Sequence, residues 1–398
     1  MRNRIQHLRR DERGMSFVFV GVGLTAFLAA TTLAIDVGMF MNARTQAQNS
    51  ADAGALAGVT ALYFNDWNNR SAGGPAVSSA IDAAKHNQVI FKSPVVDPSD
   101  VTFPLSPGGL SNRVAVNVFR TSARNDGAGN SSAVPTLMGR LFGVNTVDIT
   151  ATATAEATPA NGMTCVKPFM IPDKWEERQT PPWDSTDTFE AFDNKGNLLP
   201  DRDWYVPARN CPTCKDNPAY TGYSVNKDKG TRLILRAGTG GNIRPSFYYS
   251  WKMPGEIGGD FYRENIANCN QSIVQWNDPM IQEPGDKMGP TIQGVQELID
   301  KDPTATWDTG CKCVKSTYQG QSPRVFPIPL YDPMYYAEGK ANGRPADFKV
   351  ANFLGFFAEY ISGNEIFGYI TTVTGIVVPN GGTTVPVAMF PVAIRLVQ

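Results

Sequence analysis

The chain has 398 residues, of which 42% are hydrophobic, and its 36 basic and 37 acidic residues give a formal net charge of −1. Its length accommodates two or three domains. Nearly balanced charge without basic clusters disfavours a nucleic-acid-binding protein. The only two histidines, His7 and His86, exclude HExxH zinc chemistry and leave little room for Ser-His-Asp or Cys-His catalysis.

The first predicted element is a transmembrane helix over residues 14–35. This run contains no charge and no proline, and it is long enough to cross a hydrocarbon layer of roughly 30 Å at about 1.5 Å per residue. Five arginines precede it and indicate that the tail, residues 1–13, is cytoplasmic and that the rest of the chain is exported. No other uncharged run is long enough to span a bilayer, so we expect a single-pass membrane protein.

Two residues near this helix bear on its processing and its topology. Gly14 precedes the apolar run, as in a prepilin signal, but Phe19 stands where a prepilin usually has Glu, so we predict that the helix stays uncleaved. Asp36 follows the run directly. The simplest role for Asp36 is to mark where the helix leaves the lipid, and the alternative is an ion pair with a basic group of a partner.

Residues 36–64 are predicted to continue this helix as a rod, because they contain no proline and are rich in good helix formers. Ala47, Ala51, Gly54 and Gly58 fall on one narrow face. The Gly54/Gly58 pair allows close approach of a second helix. Two interpretations are open: the face packs on the protein's own domain, or it packs against a partner helix.

The N-terminal region resembles the helical module of Tad (tight adherence, or Flp) pilus-assembly proteins of the TadE/TadG type. The resemblance is carried by Arg13-Gly14, by Ile35-Asp36-Val37-Gly38 after the apolar run, by Arg44-Thr45-Gln46-Ala47-Gln48, and by residues 51–58, which read ADAGALAG. Parts of the second half, such as Lys167-Pro168, are similar to longer TadG-type proteins but assign no chemistry to any residue. The resemblance implies a structural role in a Tad/Flp pilus machinery.

Residues 65–160 are predicted to form a small α+β module. Its expected elements are helices over residues 77–91 and 134–142 and strands over residues 113–119 and 147–156. A Thr-Pro-Ala-Asn-Gly sequence at residues 158–162 breaks the pattern and marks a domain boundary.

Residues 161–398 are predicted to form an exported, mostly β domain, so that the whole chain is of the α+β class. Strands are expected over residues 232–236, 246–251, 324–330, 352–361, 366–373 and 385–396, and a helix over residues 291–301.

All six cysteines lie in this last region, and they are Cys165, Cys211, Cys214, Cys269, Cys311 and Cys313. Because an exported domain experiences an oxidising compartment, we predict disulfides, whose pairing the sequence does not choose. A four-thiolate zinc site from the CxxC and CxC pairs is the less favoured alternative. We assign no cofactor and no metal.

The sequence therefore predicts a membrane-anchored minor component or assembly factor of a Tad/Flp-type pilus, acting structurally and not as an enzyme. It would lie in the bacterial inner membrane, with its C-terminal domain periplasmic or extracellular, and its partners would be pilus or secretion-machinery proteins. One alternative is a surface adhesin or ligand-binding envelope protein. A second is an exported hydrolase that uses paired carboxylates such as Asp201/Asp203 or Asp300/Asp302.

Overall fold

The computed structural model describes residues 13–107, 109–126, 128–210, 215–318, 321–343, 347–378 and 390–397. The chain divides into two compact units. Unit 1 takes in the described residues up to Val59, then Arg70–Ala155 and the chain from Leu396. Unit 2 is built from Thr60–Asn69 and Glu156–Arg395.

The helices are α1 (Arg13–Phe64), α2 (Pro75–His86), α3 (Val225–Asp228), α4 (Gly259–Ala267), α5 (Met288–Lys301) and α6 (Pro333–Ala341). The strands are β1 (Val101–Thr102), β2 (Arg113–Arg120), β3 (Val134–Pro135), β4 (Thr146–Val147), β5 (Ile149–Pro159), β6 (Gly162–Met163), β7 (Phe169–Pro172), β8 (Arg209–Asn210), β9 (Lys215–Asp216), β10 (Arg232–Ala237), β11 (Phe247–Ser250), β12 (Val274–Gln275), β13 (Pro279–Ile281), β14 (Thr306–Asp308), β15 (Cys313–Lys315), β16 (Val325–Tyr331), β17 (Asp347–Ser362), β18 (Glu365–Thr371), β19 (Val373–Thr374) and β20 (Pro391–Val397).

The predicted long N-terminal helix is confirmed, and α1 runs without interruption over 52 residues. Residues 15–30 of α1 are exposed on every side. Among the described residues, α1 is the one helix long and apolar enough to cross a membrane, with a mean hydropathy of 2.1 over its most apolar window.

Unit 1 packs two helices on a sheet whose strand order is β1-β2-β5. Small side chains of both helices and branched side chains of β2 are buried together; they include Ala43, Ala47, Ala51 and Ala55 of α1, Ala76, Ala80 and Ala84 of α2, and Val114, Val116 and Val118 of β2. Alanine on both helices permits a close approach, and the alternating valines of β2 supply the bulk of the core.

The helix predicted over residues 134–142 is wrong. The segment begins as β3, paired antiparallel with β4, and continues into a 3₁₀ turn, Gly139–Phe142. A helix here would require the N–H groups of residues 138 and 139 to donate to carbonyls within the segment. These N–H groups donate instead to a carboxylate of α1.

Unit 2 is organised around a closed sheet. Six strands follow one another in the order β17-β16-β7-β11-β10-β18, and β18 pairs back onto β17. The pairs β7–β16 and β10–β11 are parallel, and the other four contacts of the ring are antiparallel. β17, with 16 residues, closes the ring because its residues 355–357 pair with β16 on one side and β18 on the other.

The interior of this barrel is filled by alternate residues of its strands, including Phe169, Ile171, Leu233, Leu235, Phe326, Ile328, Leu330, Leu354 and Phe356. Helices α4 and α5 add Ile266 and Val295 to the same cluster. The mostly β character of the C-terminal region is confirmed, as is the strand predicted over residues 352–361, which lies within β17. The short helices α4 and α6 were not predicted.

Candidate functional site at Asp36

The small-residue face of α1 is covered by its own unit. A Cβ atom placed on Gly54 would lie 3.0 Å from the Ala80 carbonyl oxygen, and one on Gly58 would lie 2.8 Å from Val114 Cγ1. Ala47 and Ala51 are buried on the same side of α1. Of the two interpretations that the sequence left open, the structure shows the intramolecular one.

Asp36 lies one residue beyond the apolar run, and its side chain is buried against a loop of unit 1. The Leu137 N–H donates to Oδ1 at 2.9 Å, and the N–H groups of Met138 and Gly139 donate to Oδ2 at 3.1 and 2.6 Å. Three successive backbone donors form a concave anion site, and here they surround one carboxylate. The ion pair with a partner's basic group is therefore not needed to satisfy Asp36.

The loop that holds this carboxylate, residues 136–144, is named the Asp36 loop below. Its ends are tied together, because the Thr136 hydroxyl donates to the Val144 carbonyl at 2.5 Å and the Val144 N–H donates to Gly139 at 2.9 Å. Gly143 closes the 3₁₀ turn with a φ of +80°, a conformation that favours glycine. The loop is thus a compact unit, and Asp36 fixes it to one point on α1.

The match to a family model covers this same helix. Residues 14–61 match the family described as "Putative Flp pilus-assembly TadE/G-like". The resemblance inferred from the sequence is confirmed for this stretch, and a Tad/Flp pilus-associated role is supported by it. Comparison of the chain with curated proteins and with solved structures finds no match.

The matched stretch therefore contains Asp36 and all four residues of the small-residue face, but none of the cysteines. The residues that bind Asp36 lie about a hundred positions further along the chain. Sequence reasoning missed them because no local pattern links two segments so far apart. The one available signal was the run of apolar residues around Gly139, which predicted a short helix instead.

Four of the six cysteines are described, and they form two disulfides, Cys165–Cys269 and Cys311–Cys313. Cys211 and Cys214 lie outside the described residues. The second disulfide lies at the β14–β15 hairpin, where Asp308 pairs with Cys313. Because Cys311 and Cys313 bind each other, they are not arranged as ligands of a four-thiolate zinc site.

Two lysines that the sequence did not single out stabilise the C-terminal end of α4. The buried Lys167 ammonium donates to the carbonyls of Ile266 and Asn268, and the Lys301 ammonium donates to the Ala267 carbonyl. These carbonyls have no partner within a helix, and cations near a helix C-terminus are favourable. Burial, with repulsion from Lys301, lowers the pKa of Lys167 to about 7.

The carboxylate pairs considered for hydrolysis are separated by their environments. Asp201 is exposed, whereas Asp203 is buried and accepts the Glu190 N–H at 2.8 Å. Burial, together with a hydrogen bond shared with Glu177, raises the pKa of Asp203 to about 6. Asp302 accepts the hydroxyls of Ser316 and Ser322 at 2.6 and 2.5 Å. Within the described part of the chain, no group of three or more His, Cys, Asp or Glu side chains is placed to hold a metal.

Proposed function

We propose that this chain is a membrane-anchored minor component or assembly factor of a Tad/Flp-type pilus and that it acts structurally. One observation carries the proposal: the Tad domain coincides with a single helix that is apolar and exposed in its first half and buried within unit 1 in its second half. Residues 1–13 would be cytoplasmic and unit 2 would be periplasmic or extracellular, in keeping with the arginines before the helix.

The exposed half of α1 requires a non-aqueous environment. Large side chains such as Phe17, Phe19 and Phe27 lie at the surface of the isolated chain. Leaving such side chains in water costs about 1.5–3 kcal/mol each relative to burial. Lipid and the helices of other membrane proteins both remove this cost, which supports an anchor that also contacts partner helices.

The covered face of α1 determines where partners bind. Because Ala47, Ala51, Gly54 and Gly58 are buried within unit 1, contacts with pilus proteins should involve the exposed apolar half or the outer side of α1, where Met41 is exposed. A photoreactive amino acid at Phe17, Leu24 or Met41 probes these surfaces without disturbing the core.

The test is crosslinking in the native host, with captured proteins identified by mass spectrometry. We expect probes at these exposed positions to capture pilus or secretion-machinery proteins of the Tad type. A strain that lacks the pilus genes is the matched control, and the same bands should be absent from it. Capture of no Tad protein, with unchanged piliation after deletion of the chain, would show that the proposal is wrong.

A non-enzymatic role for unit 2 is part of this proposal. It is supported by the two carboxylate pairs that the sequence suggested for hydrolysis. Asp203 and Asp302 of these pairs are buried and accept hydrogen bonds from their own chain. General acid–base groups must instead reach a substrate directly or through one water. Sustained hydrolysis of a polysaccharide panel by the purified full chain would contradict this part.

A further inference from the structure

We infer that the Asp36 loop is a second membrane contact, which rests in the interfacial layer of the outer leaflet beside the transmembrane helix. The inference rests on the proposed anchoring of α1. It concerns the lipid bilayer as the ligand of a surface that belongs wholly to unit 1.

The height of the loop relative to the membrane is set by Asp36. Ile35 is the last residue of the apolar run, and Asp36 is the next residue. The carboxylate holds the N–H groups of Leu137, Met138 and Gly139 within 3.1 Å. The loop is therefore bound to the helix at the point where the helix leaves the hydrocarbon layer.

The side chains of the loop suit that position. Leu137, Leu141, Phe142 and Val144 are 59%, 77%, 71% and 49% exposed, and no residue of the 3₁₀ turn is buried. Arg140, which is also exposed, lies between them. Large apolar side chains interspersed with arginine are typical of segments that lie in the lipid headgroup region, where the guanidinium reaches the phosphates.

A second loop presents an apolar side chain beside the stretch of α1 that follows Asp36. Phe91 is 91% exposed and lines a cleft with Gly38 and Met39, which lie within one helical turn of Asp36. The Ile90 N–H donates to Gln46 Oε1 at 2.8 Å and holds this loop to α1. Two separate loops thus expose apolar groups around the base of the helix. A bilayer surrounds a helix on all sides, whereas a protein partner covers one face, so lipid is the occupant that fits both loops.

The role of Asp36 follows from this geometry. Backbone N–H groups that enter an interface poor in water must have acceptors. Asp36 supplies the acceptor for three of them and orients the apolar side chains of the loop toward the lipid. It is a positioning residue for the membrane contact.

The test places an environment-sensitive NBD label on the full chain in phosphatidylcholine/phosphatidylglycerol vesicles that contain doxyl-labelled lipid. Phe142→Cys reports on the loop. Leu105→Cys is the matched control, because Leu105 is similarly exposed, at 60%. Its loop leads into the start of β2, where Val114 packs on Gly58. Gly58 lies 22 residues beyond Asp36 along α1. Phe27→Cys reports on the anchor itself, and circular dichroism checks that each variant is folded.

We expect doxyl lipid to quench the labels at positions 27 and 142 several-fold more strongly than the label at position 105. Asp36→Ala should lower quenching at position 142 and leave it unchanged at position 27. Strong quenching at 27 with water-like emission at 142 would overturn this inference alone, whereas water-like emission at 27 would overturn the anchoring proposal. A label at 142 that is shielded only in native membranes with pilus proteins would overturn the lipid assignment in favour of a protein contact.

Discussion

Buried ionisable side chains in unit 2 are held by specific partners. Asp203 shares a hydrogen bond with Glu177, which itself accepts the N–H groups of Gln179 and Thr180. Asp173 accepts the hydroxyls of Tyr205 and Tyr220 at 3.0 and 2.7 Å, yet its burial raises its pKa to about 6. Asp203 and Asp173 are therefore held in place by hydrogen bonds and are costly to ionise, whereas the N–H groups that donate to Glu177 lower the pKa of that carboxyl.

Unit 2 should therefore become less stable as the pH rises through about 6. The pKa of Asp203 is raised from 3.8 to about 6 in the folded chain. The contribution of Asp203 to stability is therefore fully present below its pKa in the unfolded chain, and it is lost as the pH rises through its pKa in the folded chain. In Asp203→Asn the amide replaces the protonated acid as a donor to Glu177. We expect this variant to show a smaller fall in melting temperature between pH 4.5 and 7, by roughly 2–4 °C.

Differential scanning calorimetry of the full chain in detergent measures this difference. Asp201→Asn is the matched control, because Asp201 is exposed, and it should follow the wild type at every pH. Asp173 titrates in the same range, so some pH dependence should persist in Asp203→Asn. Identical profiles for Asp203→Asn and the wild type would refute the assignment of a shared proton.

At the scale of the element, α1 combines two environments in one helix. Its residues 15–30 are exposed on every side, and its residues from Ala43 onward include those packed against α2 and β2. The same substitution at two positions of α1 therefore tests packing with helix propensity held constant.

Gly58→Ala and Gly38→Ala should have opposite effects on stability. Each of the two substitutions should stabilise the helix by about 1 kcal/mol, because alanine has a higher helix propensity than glycine. At Gly58 the new methyl group would lie 2.8 Å from Val114 Cγ1 and 3.0 Å from Ala80 Cβ, whereas at Gly38 nothing lies within 4 Å. Overpacking typically costs about 1–3 kcal/mol, so Gly58→Ala should be destabilising and Gly38→Ala stabilising.

Hydrogen exchange followed by mass spectrometry on the full chain in detergent reports the result. Amides of α2 should exchange faster in Gly58→Ala than in the wild type, and as slowly or more slowly in Gly38→Ala. Unchanged exchange in Gly58→Ala would mean that α2 does not pack on this face of α1.

At the scale of the whole molecule, the two described disulfides differ in what they connect. Cys165 and Cys269 are 104 residues apart and enclose β7, β10, β11 and α4, whereas Cys311 and Cys313 are 2 residues apart. Cross-linking a longer loop removes more conformational entropy from the unfolded chain.

Removing the long-range disulfide should destabilise unit 2 far more than removing the short one. We expect the Cys165→Ser/Cys269→Ser variant to lose about 2–5 kcal/mol of unfolding free energy, and the Cys311→Ser/Cys313→Ser variant roughly a third as much. Chemical denaturation followed by tryptophan fluorescence measures both. Equal losses would indicate that loop entropy does not govern the difference.

Local patterns predicted much of this architecture. The charge-free run predicted the start of α1, and alternation predicted β2. The strand within β17 was expected from its position between other strand candidates, although its apolar positions also suited a helix. The closure of the barrel could not be predicted from the sequence, because it depends on the pairing of β17 with β18 on one side and with β16 on the other.

The helix α6 could have been predicted from its first residues. Asp332 precedes Pro333 and accepts the Tyr335 N–H at 2.9 Å, which is a typical helix start. The contact between Asp36 and its loop joins segments about a hundred residues apart, and periodicity carries no information on such pairs.

The unbroken course of α1 has a mechanical consequence. Transmembrane helices tilt in bilayers by about 20° on average, and α1 extends roughly 35 Å beyond Asp36 within unit 1, so such a tilt would swing its far end sideways by roughly 12 Å. Because α1 is continuous from its exposed apolar residues to its packed residues, a tilt of the proposed anchor would rotate unit 1 together with it. Apolar loops resting on the bilayer beside α1 would resist that rotation and hold the helix upright.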